Sequence, residues 1–249
     1  MARPRRICTG FLFLDAVCPL NRQAIGVNCL SELCLTLTLT LTLTLTLTLV
    51  CAGATRFSRS GGFAGPEEPL DDAGRRAAVA AMAGVRFDRL FCSPARSAME
   101  TAAAMALPVE PEIALRDVDH GAWSGRTIME VGASHPDGLA AWLADPAAGA
   151  PDGEDMANAA ARIGSWIDSL AGQTSGRPGA ITHPMMIRAA LAHMLDMPLR
   201  ATLAIDIAPL SFCRLSFNRA WRLQALGALP IDSGGKAKAA YHASADDPP

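Results

Sequence analysis

The chain's hydrophobic pattern opens on an unusual run. From Leu35 to Leu49, Leu and Thr alternate without a break. Strict period-two alternation is the signature of a β-strand. At about 3.3 Å per residue the whole tract would extend roughly 50 Å, several times an ordinary strand. A domain needs only its last six or so residues, and a repeat this pure reads as low complexity rather than as a packing solution. The tract is nearly half Thr and short for a bilayer, so it is not read as a membrane span. From Leu45 onward, strand and helix periods alternate. LTLTLVCAGAT at 45–55 reads as a first strand running into a small-residue turn with Gly53. The stretch 56–69, rich in Gly, Ser and Pro, is expected to be irregular. Asp71 is placed as the N-cap of an Ala-rich helix reaching about Ala83.

FDRLFC at 87–92 predicts a short strand. Ser93-Pro94 then predicts a helix start, with Ser as N-cap and Pro in the first turn. Met99, Ala102, Ala103 and Ala106 are expected to form its buried stripe. Residues 107–153 read as short elements and loops around Trp123 and Trp142. A helix is predicted over 154–170, with Met156, Ala160, Ile163 and Ile167 near helical spacing. A strand over 179–182 ends at His183, and Pro184 starts the next helix. Ile187, Ala190, Leu191, Met194 and Leu195 make that helix's apolar face. Segments 208–217 and 221–226 predict a final hairpin. The expected organisation is a low-complexity, non-native or disordered N-terminal extension over 1–43, one domain over 44–229, and a disordered tail over 230–249.

Composition fits this outline. Of 249 residues, half are apolar and 18% are charged, enough apolar side chain for a sizeable core. The net charge of −2 argues against a nucleic-acid partner. Four of the seven cysteines lie in the first 34 residues, and none has metal-ligand spacing. Cys51, Cys92 and Cys213 are expected to be buried thiols of a reducing, cytoplasmic protein. MARPRR followed by ICTGFLFL mimics a secretory signal, but Asp15 interrupts the run and no small-residue cleavage site follows. No membrane association, metal or cofactor is expected.

Six stretches, in order, resemble the histidine phosphatase superfamily, the phosphoglycerate-mutase-like proteins. VCAGAT at 50–55 resembles that family's strand and Arg-His-Gly-x-Thr. PLDDAGRRA at 69–77 resembles Pro-Leu-Thr-x-x-Gly-Arg. SPARSAMETA at 93–102 resembles Ser-Pro-x-x-Arg-x-x-x-Thr-Ala. LRDVDHGAWSG at 115–125 resembles Leu-x-Glu-x-x-x-Gly-x-Trp-x-Gly. PDGED at 151–155 resembles Pro-x-Gly-Glu-Ser, and ITHPMMIRAAL at 181–191 resembles Val-Thr-His-Gly-x-x-Ile-Arg. The resemblance implies a three-layer α/β/α sandwich with a mostly parallel central sheet. It also implies phosphoryl transfer to a histidine, two arginines and a second histidine holding the phosphate, and a carboxylic acid protonating the leaving oxygen.

By that resemblance, Arg96 and His183 fall on phosphate-holding positions. Asp117 falls on the acid, one methylene shorter than the usual Glu. Gly53, Thr55 and Arg56 belong to the phosphate loop. Cys51 and Ala52 stand where the family has Arg and the nucleophilic His, so two of four core residues are missing. Each residue also has a plainer reading. Arg96 could be a surface arginine, His183 a helix-capping residue, Asp117 and His120 loop residues, and Arg56 and Arg59 solvated loop cations. Cys51 does not fit a cysteine phosphatase, whose loop needs Cys, five residues, then Arg; here Phe57 holds that place. Three functions follow: a divergent phosphatase using rearranged residues, a pseudoenzyme binding a phosphorylated small molecule or a protein, or a product degraded by mutation. The expectation is a phosphomonoester site with weak or lost turnover.

Overall fold

Only the end of the Leu-Thr tract enters the fold, as strand β1 (Leu45–Cys51). The computed structural model describes residues 45–105, 107–173 and 176–229. The expectations for 1–43 and for the tail from 230 lie outside them. Leu45, Leu47, Leu49 and Cys51 point to one face of the sheet, while Val50 points to the other with Ala52 just beyond. Six of its seven residues are buried, as a central position requires, although its second face carries Thr46 and Thr48 beside Val50.

The other strands are β2 (Gly62–Phe63), β3 (Leu90–Cys92), β4 (Val109–Pro111), β5 (Arg126–Thr127), β6 (Gly179–Thr182), β7 (Ser211–Asn218) and β8 (Ala220–Ala228). The helices are α1 (Arg56–Ser60), α2 (Asp72–Met82), α3 (Arg96–Ala102), α4 (Ile128–Ser134), α5 (Pro136–Ala144), α6 (Met156–Gln173), α7 (Pro184–Leu195) and α8 (Leu199–Thr202). Six strands form the main sheet in the order β4-β3-β6-β1-β7-β8. β4, β3, β6 and β1 are parallel, and the β7–β8 hairpin adds antiparallel strands at the other edge. This is the expected sandwich. On one face α6 and α7 bury Ile163, Ile167, Ile187 and Leu191 against β1. On the other, α2 and α3 bury Met82, Ala98 and Ala102 against Val50, Leu90 and Ile181.

Asp71 does cap α2, accepting from Gly74 N at 2.6 Å. Three local expectations are corrected. Residues 56–60 are helical, because Thr55 and Ser58 form a reciprocal capping box. α3 begins at Arg96, not after Ser93: Ala95 is its N-cap, and the Ser93 hydroxyl instead accepts from Ala95 N at 3.2 Å. Its buried face is Ser97, Ala98, Thr101 and Ala102, while Ala103 is exposed. Ala106 lies outside the described residues.

The chain runs from β1 through α2 to β3, leaving a place that β6 fills later from the opposite face. The carboxyl ends of β1, β6 and β3 therefore meet where the winding direction changes, the position at which open α/β sheets form a crevice. Ala52 N donates to Thr182 O at 2.8 Å and Ser93 N to Ile181 O at 2.9 Å, so the pairing extends past the strand ends.

Candidate functional site

Each strand end delivers one segment to that crevice. After β1 come Ala52, Gly53 and Thr55. Gly53 N donates to the fully buried Thr101 Oγ1 at 2.9 Å, and Thr101 Oγ1 donates to Ser97 O at 2.7 Å, tying the loop to α3. Gly74 lets α2 press on the same loop: a Cβ there would lie 2.2 Å from Ala54 O. After β6 comes His183. The preceding Thr182 donates from Oγ1 to Leu115 O at 2.7 Å, which fixes the segment carrying Asp117.

That segment is clamped from behind. Arg162 makes a two-pronged pair with Glu154, at 3.0 and 2.7 Å, and donates to Ala114 O and Arg116 O at 2.7 and 3.0 Å. Gly121 and Gly153 allow the 119–121 and 151–153 turns to touch, since an added Cβ on either would lie within 2.6 Å of the other's backbone. A small roof closes over the loop. β2 pairs with β5, Phe63 packs on Trp123 and Trp142 at ring separations of 5.2 and 5.4 Å, and Ile128 opens α4.

Between floor and roof lies a cavity of about 240 Å³. Its floor is Cys51, Ala52, Gly53, Thr55 and Ser97; Asp117, His120 and His183 line its side; Phe63, Ile128 and Trp142 belong to the roof. An adjoining cavity of about 320 Å³ shares Ala64, Ser97, Asp117, His120 and His183 and adds Glu67, Arg116 and Asp119.

Of the residues singled out in the sequence, Gly53, Thr55, Asp117 and His183 come together around the first cavity. Arg96 and Arg56 do not. The Arg96 guanidinium is half exposed and pairs with Glu100 at 3.0 Å, a carboxylate that also holds Arg75 at 2.8 Å. The position facing the cavity is the next one, Ser97. The pattern Ser-Pro-x-x-Arg-x-x-x-Thr-Ala, counted from Ser93 to Thr101, itself puts its arginine at 97, so the expected convergence of Arg96 with His183 is replaced by Ser97 with His183. Arg56 is exposed and stacks 5.0 Å over its neighbour Phe57. Arg59 pairs with Asp71 at the surface. Among the described residues, no arginine or lysine lines the first cavity. The adjoining one has Arg116, whose guanidinium lies 3.3 Å from Glu154.

The histidines differ in what holds them. His183 Nε2 is 3.0 Å from the buried Ser93 hydroxyl, and its Nδ1 is 3.7 Å from Asp117 Oδ2, beyond a direct hydrogen bond. His120 is only 7% exposed, and neither ring nitrogen has a hydrogen-bond partner among the described residues. Those nitrogens are not sealed from solvent, so the ring addresses the cavities it lines. Burial pushes its pKa below the ordinary 6.5 despite the opposing fields of Asp117 and Asp119. The Cys51 thiol is pushed up to about 12, by burial first and by Asp117 second. Cys92 and Cys213 are likewise free, buried and raised to about 12 by burial. No group of His, Cys, Asp or Glu among the described residues has metal-holding geometry. No described helix is long and apolar enough to cross a membrane.

Sequence reasoning missed Ser97, although the motif's own count pointed to it. It placed His120 in a loop without seeing that the ring faces a cavity. Phe63 and Trp142 left no local signal, because the roof forms only by pairing segments far apart along the chain.

Comparison with known proteins agrees with this architecture. The sequence model of the histidine phosphatase superfamily (branch 1) matches residues 47–228. No curated protein matches the sequence. Among solved structures, a mycobacterial glucosyl-3-phosphoglycerate phosphatase in complex with VO3 is 25% identical, with a TM-score of 0.67 over 74% of this chain and 98% of its own. A putative alpha-ribazole-5'-P phosphatase from Escherichia coli is 22% identical, with a TM-score of 0.68 over 76% and 99%. A histidine-to-alanine mutant of phosphoserine phosphatase from Entamoeba histolytica, in complex with phosphoserine, is 19% identical, with a TM-score of 0.64 over 73% and 96%.

Proposed function

The chain belongs to the histidine phosphatase superfamily, and from that premise we propose that its cavity binds a ligand without ordinary phosphatase turnover. One observation carries the reading. Where the resemblance calls for Arg, His and Arg, the cavity floor has the thiol of Cys51, the methyl of Ala52 and the hydroxyl of Ser97. Counted with Ser97, three of the four phosphate-holding positions lack their side chain, and only His183 keeps its own.

Phosphoryl transfer spreads negative charge over three oxygens, and fixed cationic donors are what stabilise it. The described floor supplies none. Ala52 has no lone pair with which to form a covalent adduct. Cys51 cannot replace it: with a pKa of about 12, the thiolate fraction at neutral pH is on the order of 1 in 100,000. Loss of a nucleophile that acts with its partners as a unit removes most of the rate.

The relative solved with phosphoserine suggests a phosphorylated small molecule as the ligand. What would receive an anion here is His183 and the backbone N–H groups opening α7. A second reading, an active phosphatase with rearranged residues, draws on His120, whose depressed pKa keeps the imidazole neutral and nucleophilic.

The test is hydrolysis of a generic aryl phosphate by the full chain, beside a Cys51→Arg, Ala52→His, Ser97→Arg variant. Turnover in the variant alone is the expected result. Turnover in the unmodified protein, abolished by His120→Ala, would instead establish the rearranged enzyme.

A further inference from the structure

We infer that the ligand of this cleft is a phosphate monoester with an aromatic body, held more by that body than by its phosphate. This rests on the preceding reading of a phosphorylated small molecule and names its class.

The cleft can orient an anion. His183 and the N-terminus of α7 open onto the first cavity. Arg188 belongs to the same helix. Its Nε donates to Ile205 O at 3.0 Å, and its Nη1 lies 3.6 Å from the sulfur of Met185, which lines that cavity. The rise of the Cys51 thiol, caused by burial and then by Asp117, is opposed by Arg188, so this positive charge is felt at the cavity floor. Arg188 itself does not line the cavity, and Asp117 opposes it from the side, with Oδ2 3.7 Å from His183 Nδ1. Such a field turns a phosphate toward α7 without gripping it as a guanidinium fork does. Most of the affinity then has to come from the rest of the molecule.

The apolar walls supply it. Phe63, Ile128, Trp142, Pro184, Met185 and Pro209 line the same cavity. Ile128 is 40% exposed, a large aliphatic side chain left open where it lines a cavity. The rings of Phe63 and Trp142 are 5.4 Å apart and near perpendicular, and His120 meets Phe63 edge-on at 5.0 Å. A further ring can join such a cluster edge-to-face or offset. Size permits it: an apolar cavity of about 150 Å³ holds a benzene ring, and this one has about 240 Å³. A sugar fits less well. Of the hydroxyls in the lining, Thr55 and Ser58 are spent on each other's backbone in the capping box. Sugar hydroxyls against the aromatic and aliphatic walls would lose water without gaining partners.

Calorimetric titration of the full-length protein tests this with 1-naphthyl phosphate, glucose 6-phosphate and 1-naphthol as probes. The aryl ester is expected to bind saturably, about tenfold or more tighter than the sugar ester, with 1-naphthol weaker than its phosphate. Trp142→Ala is expected to bring the aryl ester down to the affinity of the sugar ester. Should that variant fail to fold, the ratio of the two esters on the unmodified protein decides alone. Equal affinity for the two esters, or tighter binding of the sugar ester, overturns the inference and leaves the phosphorylated-ligand reading standing. Naphthol binding as tightly as its phosphate overturns that reading and the inference with it, as does the absence of saturable binding by either ester. Hydrolysis of 1-naphthyl phosphate by the unmodified protein would overturn the loss of turnover alone; the esters would then be compared by KM, with the same ratio expected.

Discussion

Thr101 is a residue whose whole role is polar and hidden. It is fully buried, and its hydroxyl accepts from Gly53 N and donates to Ser97 O. Thr101→Val keeps the shape and removes both bonds, leaving a buried N–H at the base of the cavity. Stability should fall by about 2 kcal/mol in chemical denaturation. His120 sets a pH dependence of definite sign. Its folded pKa lies below the ordinary 6.5, so below that value the unfolded chain binds more protons than the folded one. The contribution of His120 is complete above 6.5 and is lost as pH falls from there through the depressed folded value. In urea titrations, replacing His120 by Asn should flatten the stability profile over that window; an unchanged slope would assign it to other groups. The Arg96–Ser97 pair shows how much one residue matters on a helix. A step of 100° carries the side chain from the Glu100 ion pair at the surface to the cavity wall.

Among the elements, the segment bearing Asp117 depends most on distant support. Arg162 and Glu154, 17% and 11% exposed, form the clamp behind it. Arg162→Ala removes the paired charge together with donors to two carbonyls, and should cost about 3 kcal/mol. Glu154→Ala should cost a similar amount, and the double variant clearly less than the sum of the two, because they share one interaction. Helix α2 has its own limit at Gly74, where a Cβ would meet Ala54 O at 2.2 Å. Gly74→Ala should lower stability by about 1–3 kcal/mol through forced separation of helix and loop. Several elements were legible in the chain: β6 ending at His183, α7 starting at Pro184, and Asp71 capping α2. Each rests on interactions within a few residues. The start of α3 was not legible, because Ser93 has the chemistry of a cap and is drawn instead into Ala95 N and His183 across 90 residues of chain. α1 was missed because Gly and Ser on either side of it hid the Thr55–Ser58 capping box.

For the whole molecule, β1 makes one cooperative unit of two core layers. Leu45, Leu47 and Leu49 belong to the layer with α6 and α7, and Val50 to the layer with α2 and α3. Neither layer can lose the strand without exposing the other, so tryptophan fluorescence and far-UV circular dichroism should report one coincident transition in denaturant. Two separated transitions would show that the layers melt independently. The amino-acid sequence by itself determined β1, β3, β6 and the final hairpin with the helices between them, and its family-like motifs the sandwich and four of the residues that meet at its crevice, because periodicity, caps and short motifs are local properties of a chain. Which of two adjacent residues faces the cavity and how Phe63 and Trp142 roof it were decided only in three dimensions. Those features depend on helix phase and on pairing between segments tens of residues apart, and neither is written into any single stretch.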